Sequence, residues 1–160
     1  MLRRVSITCI VAAGLGASLI AGCGDGGSKT FRALTGRPHL TVLDLGPRGK
    51  SGGDLYVYDN SLLDAHGHVI GRVRGMSVSI KLEHGAETAQ GMLTYEFGPG
   101  NSIVVGGLSQ RSLRGQFTLV NRRFVRPVLG GTGKYAGASG VVVVKRRPDG
   151  RYESEFRLQD

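Results

Sequence analysis

The stretch Tyr152-Glu153-Ser154-Glu155-Phe156-Arg157-Leu158 alternates strictly, with Tyr152, Ser154, Phe156 and Leu158 on one side and Glu153, Glu155 and Arg157 on the other. Successive side chains of an extended strand point to opposite faces, so this run predicts a strand with one drier and one wetter face. The preceding "RPDGR" reads as a tight hairpin turn. The same pattern extends back to His39. The runs "HLTVLDL", "DLYVYDNSLL", "VIGRVRGMSVSIKL", "QGMLTYEFG", "SIVVGGLS", "QFTLVN" and "VVVVKRR" are each bounded by clusters of glycine, proline, asparagine or aspartate. With the last run they make eight candidate strands, and none has the apolar spacing of a helix. Eight short strands with hairpin-type links predict an antiparallel sheet that folds into a sandwich or closes into a barrel. Gly71, Gly75, Gly106 and Gly107 interrupt runs where a barrel wall would bend or bulge.

The first 38 residues have another character. "MLRR" is basic, Val5 to Gly22 is apolar and uncharged, and Cys23 follows. A basic start, an apolar segment and small residues before a break form an export signal. Leu19-Ile20-Ala21-Gly22-Cys23 resembles a bacterial lipobox, in which the signal is cut just before a cysteine that receives lipid. The other reading is an uncleaved anchor, because 18 apolar residues just span a bilayer. The expected division is a signal peptide over 1–22, a lipidated Cys23 with a flexible glycine-rich tether over 23–38, and a β-barrel domain over 39–160. Cys9 would leave with the signal and Cys23 would be acylated, so the exported domain has no thiolate for catalysis or metal binding.

Loss of residues 1–22 removes Arg3 and Arg4, leaving 19 basic against 12 acidic side chains and a charge of about +7. Basic residues are scattered apart from Arg122-Arg123 and Lys145-Arg146-Arg147, and no aromatic platforms interleave with them, which argues against a nucleic-acid partner. A basic surface favours an anionic bilayer instead.

The segment "GGTGKYAGASG", Gly130 to Gly140, is the densest glycine stretch of the barrel region. It is not a phosphate loop: Val128 occupies the first glycine position, and Tyr135 follows Gly133-Lys134 where a hydroxyl residue would hold magnesium. No βαβ unit surrounds it, which excludes a dinucleotide fingerprint. A glycine-permitted crossover between strands remains. Arg126 to Tyr135, "RPVLGGTGKY", resembles the "PVVGGTGKF" segment of dirigent proteins and allene oxide cyclases. Gly53 to Leu63, Val69 to Gly75, Met92 to Phe97 and Ser102 to Gly107 are similar to further segments of these families, in the same order. The resemblance covers residues 40–145. It implies an eight-stranded antiparallel β-barrel with an apolar cavity, frequently trimeric in plant members. It also implies ring closure or stereo-direction of a small molecule with neither metal nor organic cofactor.

Chemistry in such a cavity needs a few polar groups in an apolar wall. Asp44, inside the apolar "TVLDL", corresponds to an acidic position on the first strand of the family and is the first catalytic candidate; the competing reading turns it outward at a strand end. Asn60 corresponds to an asparagine that holds the reactive water or oxygen in the cyclases, and is the second; the competing reading makes it a turn residue. Tyr56, Tyr58 and Tyr95 are candidates to line the cavity for ligand binding, or simply to pack. Two departures stand out. Asp44-Leu45-Gly46 lacks the asparagine of the cyclase Glu-x-Asn, and Ala136 to Gly140 lacks the arginines of the dirigent "RMARG". His66 and His68 read as a turn, since no third ligand is in sight, and the serines lack a nucleophile elbow.

These observations lead to a barrel on the outer face of the cytoplasmic membrane, held by Cys23. It binds a small apolar molecule and acts as a cofactor-independent cyclase, isomerase or stereo-directing protein, as a monomer, dimer or trimer. The alternative is a non-catalytic binding or structural envelope lipoprotein with a filled barrel.

Overall fold

The computed structural model describes residues 27–113 and 117–159. The lipobox, Cys23 and the signal segment lie outside the described residues. The elements are β1 (Ser28–Thr35), β2 (Leu40–Leu43), β3 (Leu55–Leu63), β4 (Val69–Glu83), β5 (Ala86–Glu96), β6 (Ser102–Ser112), β7 (Arg123–Thr132), a 3₁₀ turn (Gly133–Tyr135), β8 (Ser139–Arg146) and β9 (Tyr152–Gln159). Every ladder between named strands is antiparallel, in the order β1-β9-β8-β7-β6-β5-β4-β3-β2, and β1 also pairs with β3. The ring therefore closes as an eight-stranded antiparallel β-barrel, with β2 as a short additional segment.

Closure uses residues expected to be tether. Ser28–Thr35 forms β1, which pairs with β9 along its whole length, Phe31 against Phe156, and touches the end of β3 through Leu34 and Thr35. Its inward residues Ala33 and Thr35 are buried. The edge of β3 then passes to β2, Leu40 against Tyr58. The flexible-tether reading of 23–38 is corrected over these residues, because the eighth place in the ring needs a strand and only β1 fills it. A second correction concerns "QFTLVN". Its described part holds only isolated bridges at Thr118 and Val120, and the strand in that region is β7, which runs through "RPVLGG". The alternation of the last run holds: Ser154, Phe156 and Leu158 are buried.

Three bulges curve the wall. The ladders skip Ile70, Ile80 and Leu129, all outward and exposed. Such extra residues bend a strand locally. Ile70 precedes Gly71 and Leu129 packs over Gly106, whereas Ile80 lies beside none of the glycines singled out in the sequence.

One end of the barrel is closed by aromatic rings. Phe31 stacks on Phe156 at 4.6 Å between centroids, and Phe97 and Tyr135 pack around them. Tyr135 is delivered by the glycine stretch. Thr132 ends β7, and Gly133 turns back at φ +57 against the β5–β6 turn. A Cβ at Gly133 would come within 2.5 Å of the Gly100 carbonyl and 2.6 Å of Asn101 Oδ1. Lys134 is exposed, and its backbone N–H donates to Asn101 Oδ1 at 3.0 Å. The stretch is therefore a link between the paired strands β7 and β8 that inserts an aromatic plug.

Candidate functional site

Above the plug, residues of all eight wall strands, with Pro38 from the β1–β2 link, enclose a partly open cavity of about 80 Å3. Val73, Leu93, Phe124 and Val144 give it an apolar wall, and Tyr58, Asn60, Tyr95, Arg111, Arg126 and Tyr152 bring polar groups into it. The β6–β7 connection adds Phe117 and Thr118.

The polar groups form two sets. In the first, the Tyr58 hydroxyl and Ser77 Oγ lie 2.9 Å apart, and Arg111 Nη2 donates to the same Ser77 oxygen at 2.6 Å. The Arg111 guanidinium carbon lies 3.7 Å from the centroid of the Tyr56 ring, and Arg111 Nη1 stands 3.5 Å from Glu87 Oε1. Its Nη1 is buried without a hydrogen bond, so the contact with Glu87 is an ion pair of loose geometry. Glu87 is fully buried and accepts from the Ser79 hydroxyl, from Tyr56 OH at 3.3 Å and from Lys50 Nζ at 3.3 Å. Burial, reinforced by the charge of Glu87, pushes the Tyr56 hydroxyl up to about 12. Lys50 comes from the loop between β2 and β3. Asp54 ties that loop down, accepting from Ser51 N at 2.8 Å and Leu45 N at 3.3 Å. The Ser51 backbone bond is the main cause that holds the buried Asp54 carboxyl below its ordinary range.

The second set centres on Arg126 of β7. Its neighbours Val125 and Pro127 point outward and Arg126 points in, 5% exposed. Pairing of β6 with β7 stops at Val105 and Val128. Beyond that point Arg126 Nη1 donates to the Gly107 carbonyl at 3.1 Å across the gap, while Nε is buried with no hydrogen-bond partner among the described residues. Burial pushes the guanidinium below its ordinary value, the tyrosine oxygens of Tyr95 and Tyr58 act against that shift, and the charge of Arg111 adds to it. Tyr95 is buried, pairs its hydroxyl with Ser154 Oγ at 3.1 Å, and is raised by burial.

The sequence candidates divide accordingly. Tyr58, Tyr95 and Asn60 reach the cavity, while Tyr56 faces inward but is absorbed into the Glu87–Arg111 cluster. Asn60 Oδ1 accepts from the His39 backbone N–H, and Gly36 N donates to Ser61 O at 3.0 Å, so Asn60 also bridges the break between β1 and β2. Asp44 is corrected. It lies just past the end of β2, exposed, and accepts from Gly49 N at 2.9 Å in its own loop. The buried acids are Glu87 on β5 and Asp54, which is spent on its own loop. His66 and His68 sit in the exposed β3–β4 turn, where His68 Nδ1 lies 3.1 Å from Asp64.

Residues 37–158 match the family model described as the allene oxide cyclase barrel like domain. The chain belongs to this family. No curated protein sequence matches it. Among solved structures, it is similar to a pyocyanin demethylase, with 19% identity, 81% of this chain and 99% of that one covered, and a TM-score of 0.67. The Diels Alderase AbmU from Streptomyces koyangensis follows at 18% identity, 88% and 72% covered, TM-score 0.65. A pterocarpan synthase dirigent protein is similar at 13% identity, 92% and 95% covered, TM-score 0.58. At these identities the likeness is one of fold. The family's barrel is thus complete here, with β1 lying ahead of the matched residues and an interior chemistry built on two arginines.

Proposed function

We propose that this barrel binds a small, largely apolar molecule and directs its cyclisation or isomerisation without a redox cofactor, on the outer face of the cytoplasmic membrane. The observation that carries the reading is the apolar-walled cavity in which Tyr58, Tyr95 and Arg126 converge. Fixed donors in a site of low polarity stabilise negative charge that develops on a carbonyl or enolate oxygen, and they need little reorganisation during the reaction. The cyclase and dirigent neighbours of the same fold support a reaction governed by shape and such donors. Asp44 has no part in it.

The anchor reading adds an orientation. From Cys23 to the start of β1 at Ser28 the chain can reach only about 17 Å. β1 begins at the plugged end, so a lipid on Cys23 would hold that end toward the bilayer, with the cavity beyond the plug. Cys23→Ser should release the protein from the membrane fraction, and an unchanged fractionation would sink the anchor.

The second reading is a barrel that binds or scaffolds without catalysis. It is favoured by the size of the cavity, smaller than the ~150 Å3 that accommodates benzene in an engineered core. Mass spectrometry of small molecules extracted from protein purified from its native envelope separates the two. A stoichiometric organic compound that the protein converts supports the first reading. A compound returned unchanged supports the second, and consistent absence of any compound removes both ligand-binding forms.

A further inference from the structure

Arg126 lacks a reason to be a charged residue within the fold alone. One N–H reaches the Gly107 carbonyl, which a neutral amide could also do, and Nε is buried without a partner. Among the described residues, no carboxylate forms an ion pair with it. The charged group that acts on it is Arg111, of like sign, and the remaining titratable groups facing it are Tyr95, Tyr58 and Tyr152. The buried Glu87 is committed to Lys50, Ser79, Tyr56 and Arg111. Two guanidinium groups thus converge on one cavity, among the described residues Glu87 is the only carboxylate that pairs with either of them, and each keeps one buried nitrogen without a hydrogen bond. Buried cations are costly unless paired, and unsatisfied buried donors in a native interior point to a partner. The Phe124 ring, whose centroid lies 5.3 Å from the Arg126 guanidinium carbon, lines the same cavity.

We infer that the molecule bound in the cavity carries an acidic oxygen, a carboxylate, phenolate or enolate, and that Arg126, backed by Arg111, receives it. This inference rests on the receptor reading above and narrows its substrate class to organic acids with a compact apolar body. A guanidinium suits this role because it stays charged when buried and offers parallel N–H donors to an oxygen anion.

The test uses the full chain and two probes of nearly equal shape, benzoate and benzamide, titrated at neutral pH and followed by NMR, with the Arg126 side-chain Nε–H signal as the local reporter. Benzoate should bind about tenfold more tightly than benzamide, the gain expected for one charge-assisted bond, and should move the Arg126 signal. Arg126→Gln should bring the two probes to about equal affinity, and Arg126→Lys should restore part of the difference. Equal binding of both probes by the native chain overturns the inference and leaves the receptor reading standing. A benzoate preference that survives Arg126→Gln also overturns it, because the anion then sits elsewhere on the basic surface. Binding of neither probe overturns this inference and leaves the receptor reading to the extraction experiment above. If Arg126→Gln fails to fold, a benzoate-specific movement of the native Arg126 signal supports the inference and its absence refutes it.

Discussion

Replacing Glu87 by glutamine tests whether the interior is held by a buried charge. The side chain keeps its shape, yet the negative end facing Arg111, Lys50, Ser79 and Tyr56 disappears. Arg111 is only 2% exposed, so water cannot replace the lost counter-charge. Removing one partner of a buried ion pair costs about 3–5 kcal/mol, because the other is left uncompensated. For a domain of this size that corresponds to a fall of about 10–20 °C in melting temperature. Urea unfolding of the native chain, Glu87→Gln, Arg111→Met and the double variant at pH 7 gives a double-mutant cycle. Arg111→Met alone should cost less than Glu87→Gln, since Lys50, Ser79 and Tyr56 still serve the carboxylate. The double variant should be less destabilised than the sum of the singles by about 1–3 kcal/mol. A Glu87→Gln cost under about 0.5 kcal/mol, or simple additivity, would refute the reasoning.

Three further outcomes are expected. Because Tyr56 keeps its proton to about 12 in the folded state against 10.0 when unfolded, stability should fall as pH rises from about 10 to about 12, by about 2–3 kcal/mol from this group alone. Tyr56→Phe should flatten part of the overall slope in urea titrations, with the buried Tyr95 and the half-buried Tyr152 accounting for the remainder, and an unchanged slope would remove Tyr56 as a source. A chain beginning at residue 37 should lose cooperative unfolding and near-ultraviolet dichroism that a chain beginning at residue 27 retains, since Phe31 and Ala33 leave the plug and ring with β1; equal stability of the two would show that β1 does not close the barrel. The exposed, register-aligned Val57, Met76 and Met92, continued by Leu129 over Gly106, form an apolar stripe across β3 to β7. We propose that a dimer or trimer, as expected from the family resemblance, uses this stripe, so Met76→Lys with Met92→Lys should lower the sedimentation mass, and a native chain that stays monomeric at high concentration would dismiss it.

The parity of β9 was legible in the sequence because the two faces of a strand are encoded by neighbouring residues: Ser154, Phe156 and Leu158 need no knowledge of the fold to be assigned together. The same holds for most of β3 to β6 and β8, and for the turn around His66. The wording of Arg126 to Tyr135 pointed to the family, which residues 37–158 match. Closure was not legible. Phe31 meets Phe156 across almost the whole chain, and "SKTFRALT" behind a glycine-rich lead has too short an alternation to mark it as a wall strand. Asp44 and Glu87 show the same limit at the site. Both are acids in mixed company, and only the ending of β2 at Leu43 and the inward phase of β5 decide that one faces water and the other the interior. Arg126 carried no local sign at all. Its role depends on β6 and β7 parting after Val105 and Val128, a long-range register that leaves a guanidinium inside the barrel without a carboxylate. Strand identity and turn chemistry are written in short range along the chain, whereas the interior charge balance exists only once distant strands have been brought into one ring.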